Sequence, residues 1–543
     1  MARARTPNHL GELFEWHAGR SRQTVMHVDR PFDIAPDAGT VLDGARLAAL
    51  VREASGWLHA AGLRHGDRVA IVKENHYDTV IVAAGAARMG ALPVMIAPIT
   101  ATGSIRTMID RIGPRLVVLG AAVVARAAVE SCELVGSGQR TVVLGEPGVP
   151  LPGDALRLAD VLGAAPAPVR MGAADEPMVV THSSGTTGVP KLVVHSAATA
   201  VGAQARLESS RLPVVVSRRS DVTASAISFA HFRVLSWTAG QLRLAPRRMV
   251  VLSDPAPERV AEMLSRHRPS VLEACPNIFQ RWEELADLRP ALFARVRLFV
   301  TTFDAVHPRT VRAFLSASER KLPLWAHGWG QSETGPLCSN LFTRRSVRPR
   351  PSAGERAGTH GVTNEVGWPL LCRVRAVDPA TGRTVRRGEP GLLMASSAGR
   401  CLDYLGESDR HRAKLDGRWW NTGDLGRRVG LFRFSLIDRE VDMIPGLSCI
   451  ELESVLLDRL PRATEVVVLA VRGELPVPVL AIRDGQLDSE EWRLATEGLP
   501  ALGRPRILPW DEMPRTATWK VRRIPLREKV LGPGESFGTG RWT

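Results

Sequence analysis

Nowhere in the 543 residues does an apolar run approach the roughly 18 residues that span a bilayer. The first ten residues, M-A-R-A-R-T-P-N-H-L, carry charge but no apolar stretch, so no secretory signal is read and a cytoplasmic protein is expected. Cysteine is scarce and scattered: Cys132, Cys275, Cys338, Cys372, Cys401 and Cys449 include no C-x-x-C pair. That spacing indicates neither a zinc site nor a disulfide framework, and reduced thiols are expected. There is no internal repeat, no long low-complexity linker and no basic-aromatic array of the kind that binds nucleic acid. What is there is ordinary for a soluble globular chain: 44% hydrophobic and 23% charged residues. The length exceeds one compact core, so two or more domains are expected. A net charge of +15 favours anionic partners such as nucleotides, although the arginines are spread rather than massed.

Strand-like and helical patterns alternate from the start. Leu47, Leu50, Val51, Ala54, Trp57 and Leu58 recur at helical spacing, and Gly62 marks a stop. Buried-strand runs follow at 63–72, 92–96 and 115–119, with helical patterns at 77–89 and 105–112 between them. This alternation predicts parallel sheets with helices on their faces. Residues 136–174, rich in Gly, Pro and Ala, are expected to wander over the surface. The α/β pattern resumes from residue 225 to residue 327. From Val366 to Leu436 short β-like pieces carry a turn signal every eight to twelve residues, which predicts a small antiparallel subdomain. The last hundred or so residues read as a compact α+β module of helix, strand, strand, helix and strand.

One stretch organises the chain: T-H-S-S-G-T-T-G-V-P-K, Thr181 to Lys191. Ser183, Ser184, Thr186 and Thr187 supply hydroxyls, while Gly185 and Gly188 let backbone N–H groups approach a ligand. Successive N–H groups in such a loop form a concave anion site, and Lys191 adds a full charge. The pattern is that of a phosphate cradle. It is not a Walker A loop, because Val189 and Pro190 separate Gly188 from Lys191.

Five stretches in order resemble the adenylate-forming superfamily of acyl- and aryl-CoA synthetases, peptide-synthetase adenylation domains and luciferases. They are S-S-G-T-T-G-V-P-K, G-W-G-Q-S-E-T-G (328–335), W-W-N-T-G-D-L (419–425), D-R-E-V-D-M-I (438–444) and P-R-T-A-T-W-K-V-R-R-I-P-L-R (514–527). The resemblance implies a large N-terminal domain, residues 1–438, of two parallel-sheet α/β subdomains and a small β subdomain. A small mobile α+β domain, residues 439–543, follows it. It implies ATP and Mg²⁺ as cofactors. The loop from Ser183 to Lys191 would hold the β- and γ-phosphates, and Glu333 the metal. Trp329 and Gly330 would face adenine, with Ser332 supplying the motif's hydroxyl. Asp424 would bind the ribose hydroxyls with Arg439 nearby, and Lys520 would reach the α-phosphate and the carboxylate. His231 matches a histidine beside the carboxylate pocket and equally suits a core histidine; Trp237 and Phe303 are pocket candidates with the same ambiguity. No aspartate stands near His231 to pair an α-amine, which points to an aryl or fatty acid.

The implied activity is ATP-dependent adenylation of a carboxylic acid and transfer to the thiol of CoA. Two alternatives stay open: loading of a carrier protein's phosphopantetheine, and a catalytically impaired ligand-binding homologue. They arise from departures from the family pattern. Trp329 replaces a tyrosine, T-T-F-D-A-V (301–306) replaces a Gly-rich turn, Val441 replaces an acidic residue, the loop after it is short, and Trp519 replaces a glycine.

Overall fold

The structure, a computed structural model, describes residues 7–136, 138–183, 189–210, 217–348, 364–439, 448–471 and 474–532. They fall into two compact units, Met1–Glu273 with Ser332–Gly335 and Ala398–His411, and Ala274–Gln331 with Pro336–Ser397 and Arg412–Thr543.

In the first unit, Pro177–His182, Leu92–Ile96, Arg68–Val72, Leu116–Gly120, Arg140–Leu144 and Leu156–Arg157 lie side by side and parallel. Leu192–Ser196 returns antiparallel beside Pro177–His182, and Asp403–Tyr404 pairs antiparallel with it in turn. The inner strands are continuous apolar runs because both faces are covered, and Val69, Ala70, Ile71 and Val72 are all fully buried. Helix Gly44–Ala60 starts where the Asp43 carboxylate accepts the Arg46 N–H at 2.7 Å. It meets helix Asp78–Arg88 at Gly85, where a Cβ would stand 2.7 Å from that of Ala54. A second sheet places Val25–Val28 and Val222–Ala226 parallel on either side of Arg248–Val251.

The expectation for residues 136–174 needs correction. They include Arg140–Leu144, an inner strand of the first sheet whose Val142, Val143 and Leu144 are buried. The apolar run T-V-V-L is too short, among glycines and prolines, to show a period.

In the second unit, Leu298–Thr301 runs parallel to Leu324–Gln331. An antiparallel array follows, with Trp419–Arg428 between Gly391–Ser396 and Phe434–Arg439, and Arg373–Val377 outside Gly391–Ser396. The final module has strands Ala463–Leu469, Val477–Ile482 and Arg506–Ile507. Helix Cys449–Arg459 packs Leu452, Leu456 and Leu457 onto Val466, Val468 and Leu480 of these strands. The class is therefore α/β with mixed sheets and a small α+β module at the C-terminal end, as the sequence implied. Among the described residues no helix is long and apolar enough to cross a membrane. None of the six cysteines is in a disulfide.

Candidate active site

The two strands that carry the hydroxyl-rich loop form an antiparallel hairpin whose mouth is closed reciprocally. The Ser183 N–H donates to the Lys191 carbonyl at 2.9 Å, and the Lys191 N–H donates to Ser183 Oγ at 3.1 Å. His182 ties this mouth to the next strand. The Ala97 N–H donates to its Nε2 at 3.0 Å, so the neutral ring carries its proton on Nδ1, which donates to the Ser183 carbonyl at 2.8 Å. Ser184, Gly185, Thr186, Thr187 and Gly188 lie outside the described residues.

From this mouth the Lys191 ammonium reaches Glu333 Oε1 at 2.9 Å and the Tyr404 hydroxyl at 3.1 Å. The Tyr404 hydroxyl donates to the same Oε1 at 2.7 Å, closing a triangle. Burial acts against a charge on Glu333. The Lys191 charge and the hydrogen bonds from Tyr404 and Lys191 outweigh it and hold the carboxyl down at about 2. Burial, then the neighbouring Glu333 charge, pushes the Tyr404 phenol up, so it remains a donor. Both bonds fall on Oε1, which leaves Oε2 as the oxygen suited to a hard divalent cation. Among the described residues no group of three or more His, Cys, Asp or Glu side chains could hold a metal by itself.

Each residue of 332–334 has its own anchor. His195, stacked on Phe232 at 4.0 Å, uses Nε2 to donate to the Ser332 carbonyl at 2.8 Å. His231 accepts the Arg233 N–H on Nδ1, so its neutral ring donates through Nε2 to Ser332 Oγ at 3.1 Å. Burial keeps both rings neutral, at about 4 for His195 and about 3 for His231. Cys401 N–H holds the Glu333 carbonyl at 2.7 Å, and the Gln204 amide holds that of Thr334 at 3.0 Å. Gly335 has φ +68°, and a Cβ there would stand 2.1 Å from Gln204 Nε2.

A second group lies wholly in the second unit. Asp424 sits on strand Trp419–Arg428, and its Oδ2 accepts Trp329 Nε1 at 3.0 Å and Gln331 Nε2 at 3.2 Å. Gln331 is held by the Thr422 carbonyl at 2.5 Å, and it accepts Trp420 Nε1 at 3.2 Å. Arg439 is the register partner of Asp424 across the ladder, so two residues predicted to be neighbours are brought together by backbone pairing. Gly330 lies on strand Leu324–Gln331, between Trp329 and Gln331.

Also in the second unit, Lys520 meets Asp304 Oδ1 at 3.1 Å. Its hairpin is closed by the bridge between Arg515 and Val521 and by the Thr516 N–H on the Lys520 carbonyl at 2.8 Å. Trp519 has φ +64° and Phe303 has φ +86°, conformations that cost a bulky residue on the order of 1–3 kcal/mol. The glycine usual before the lysine would carry no such strain. Trp237 is buried edge-on against Tyr77, with ring centroids 6.2 Å apart, in the setting of a core residue.

Tyr404, His195, Gln331 and Asp304 were not among the residues singled out from the sequence. Gln331 and Asp304 lay within stretches already marked, 328–335 and 301–306, and Tyr404 is one of only two tyrosines in the chain.

The sequence profile of the family described as "AMP-binding enzyme" matches residues 14–405. The chain belongs to that family. It is 35% identical to the 3-amino-2-hydroxy-4-methoxybenzoate diazotase of Streptomyces cremeus, over 96% of each chain. It is 26% identical to the 3-hydroxybenzoate–CoA ligase of Aromatoleum sp. (strain CIB), over 91% of this chain and 93% of the ligase. Its fold matches that of the anthranilate CoA ligase AuaEII in complex with anthranoyl-AMP, with a TM-score of 0.77 at 20% identity, over 96% of this chain and 97% of that one. This member of the family is thus related to adenylating enzymes of the aryl-acid CoA ligase kind and, at higher identity, to an enzyme of different activity.

Proposed function

We propose that this chain uses ATP to adenylate a small oxyacid, with release of pyrophosphate, in a reaction on an aromatic acid. The observation that carries this is the triangle of Lys191, Glu333 and Tyr404 at the mouth of the hydroxyl-rich loop. It couples a cation suited to phosphate with a carboxylate kept ionised. In this reading the loop from Ser183 to Lys191 grips the β- and γ-phosphates, Trp329 and Gly330 face adenine, and Asp424 with Arg439 takes the ribose. Ser332 and His231 border the acid pocket, with Trp237 and Phe303 as the further candidates. Lys520 neutralises charge at the α-phosphate. Glu333 Oε2 would hold Mg²⁺, whose chemistry is to offset phosphate charge as pyrophosphate departs. Residues 1–438 would form the nucleotide-binding domain and 439–543 a mobile lid that delivers Lys520.

An oxyacid oxygen attacks the α-phosphorus, the bond to the β-phosphate breaks, and a mixed anhydride with AMP results. Two uses of such an anhydride fit. In one, the acid is the aromatic carboxylate, and the thiol of CoA or of a carrier protein's phosphopantetheine displaces AMP. In the other, the acid is nitrite. A ring amine of the aromatic substrate attacks the nitroso nitrogen, AMP leaves, the amine gives up a proton, and the nitrosamine loses water after protonation to give a diazonium ion. The 35% identity to a diazotase over 96% of the chain favours the second use, and the departures at Trp519 and in the short loop after Val441 weaken the thiol step.

The test is AMP and pyrophosphate release with 3-amino-2-hydroxy-4-methoxybenzoate and with 3-hydroxybenzoate, each with nitrite, with CoA or alone. Nitrite-dependent release with a product that couples to a naphthol as an azo dye supports diazotisation, and a thioester mass supports the ligase. Background release in every arm, including arms with fatty acids, would leave the impaired-homologue reading standing.

A further inference from the structure

The ion pair of Lys520 and Asp304 joins the two places where the backbone is most unusual. Asp304 follows Phe303 at φ +86°, and Lys520 follows Trp519 at φ +64°. Six non-glycine residues have positive φ among the described residues, and these two are the aromatic ones. Bulky residues persist there only where their surroundings over-determine them. The surroundings do so. Trp519 stacks on Trp510 with centroids 5.7 Å apart and planes 24° apart. The Trp510 ring also carries the guanidinium of Arg515 at 3.8 Å and that of Arg281 at 4.5 Å. Arg515 donates to the Trp519 carbonyl at 2.9 Å and pairs with buried Glu465 at 2.9 Å. On the other side, the Ala305 N–H donates to Asp304 Oδ1 at 3.0 Å, the oxygen that also takes Lys520. Lys520 and Asp304 are 21% and 20% exposed, so neither is a freely solvated surface charge.

We infer that Asp304 is the resting partner of Lys520, a positioning carboxylate that parks the ammonium until an anionic substrate takes its place. This rests on the adenylation role proposed for Lys520. A carboxylate, an α-phosphate and an oxyacid offer an ammonium the same contact, so the lysine exchanges one ion pair for another. The strained turns aim the two side chains at each other, and one neutral substitution at 304 releases the lysine without touching its own hairpin.

The chain has six lysines, Lys73, Lys191, Lys321, Lys414, Lys520 and Lys529, so each can be followed singly. The experiment is acetylation of the full-length chain by a water-soluble N-hydroxysuccinimide ester, with residue-by-residue rates by mass spectrometry. Lys529, paired with Glu512 at 2.9 Å, is the internal reference. In Asp304→Asn the rate at Lys520 relative to Lys529 rises about fivefold, the worth of roughly 1 kcal/mol of ion pairing. Asp304→Glu keeps the slow rate, and Asp304→Ser, read by the same ratio, decides if Asp304→Asn fails to fold. An unchanged ratio in the neutral variants overturns the inference. Pyrophosphate release by Lys520→Ala separates the two claims: undiminished release removes Lys520 from catalysis while leaving the labelling result standing.

Discussion

Two of the lysine–carboxylate pairs, Lys191 with Glu333 in one unit and Lys520 with Asp304 in the other, are held differently. Lys191 stands at the mouth of a regular hairpin, and its carboxylate is buried and shared with a tyrosine hydroxyl. Lys520 stands on a turn with a strained tryptophan before it, and its carboxylate is half-buried with one backbone N–H as its other partner. The first arrangement has three members that support one another. The second has two members and can part at low cost.

The comparison breaks most visibly at Lys520. Lys520→Ala should lower pyrophosphate release by about 10²–10³, with a melting temperature close to that of the parent. A large loss of stability instead would mean that the pair is structural. Acid should act on the other side. His195 is fully buried and kept neutral down to about 4, against 6.5 in the unfolded chain. As pH falls below 6.5 the unfolded chain takes up the proton first, so stability drops between pH 6.5 and about 4, by on the order of 3 kcal/mol. Glu333 adds a second loss lower down, from its usual 4.5 towards about 2, as its protonation releases Lys191. Urea midpoints across this range should fall less in His195→Gln than in the parent, by the His195 share alone, because His9, His17, His76, His231, His267, His307 and His327 are also held neutral by burial and keep their own shares.

Glu333→Gln comes next. It should cost about 2–3 kcal/mol, less than a fully buried pair because Lys191 is 22% exposed, and it should shift the urea midpoint at unchanged slope. The smallest effect belongs to Trp519→Gly. Relief of about 1 kcal/mol of backbone strain opposes loss of a ring stack worth about 0.5–1.5 kcal/mol, so calorimetry should find the melting temperature almost unmoved.

Much of this was legible in the residues. Apolar runs marked the inner strands, and the helical pattern over 77–89 is the helix Asp78–Arg88. The motifs brought Lys191, Glu333, Asp424 and Lys520 into view. What stayed hidden was set by tertiary contact. Tyr404 lies 213 residues from Lys191 and 71 from Glu333, and nothing local marks it as their partner. His195 reads as one more residue of an apolar strand, and only the fold shows that its ring carries the Ser332 carbonyl. Asp304 was visible only as a departure in a turn, because its partner comes from the far end of the chain.

Gln204 has a consequence for how this chain tolerates change. A Cβ at Gly335 would stand 2.1 Å from its amide nitrogen, and one at Gly399 would stand 1.9 Å from the same atom. Two distant glycines therefore guard a single amide. In a mutational scan their effects should be epistatic with position 204. Gly399→Ala should be deleterious alone and partly suppressed by Gln204→Ser, whereas Gly335→Ala, with its left-handed backbone, should find no such suppressor.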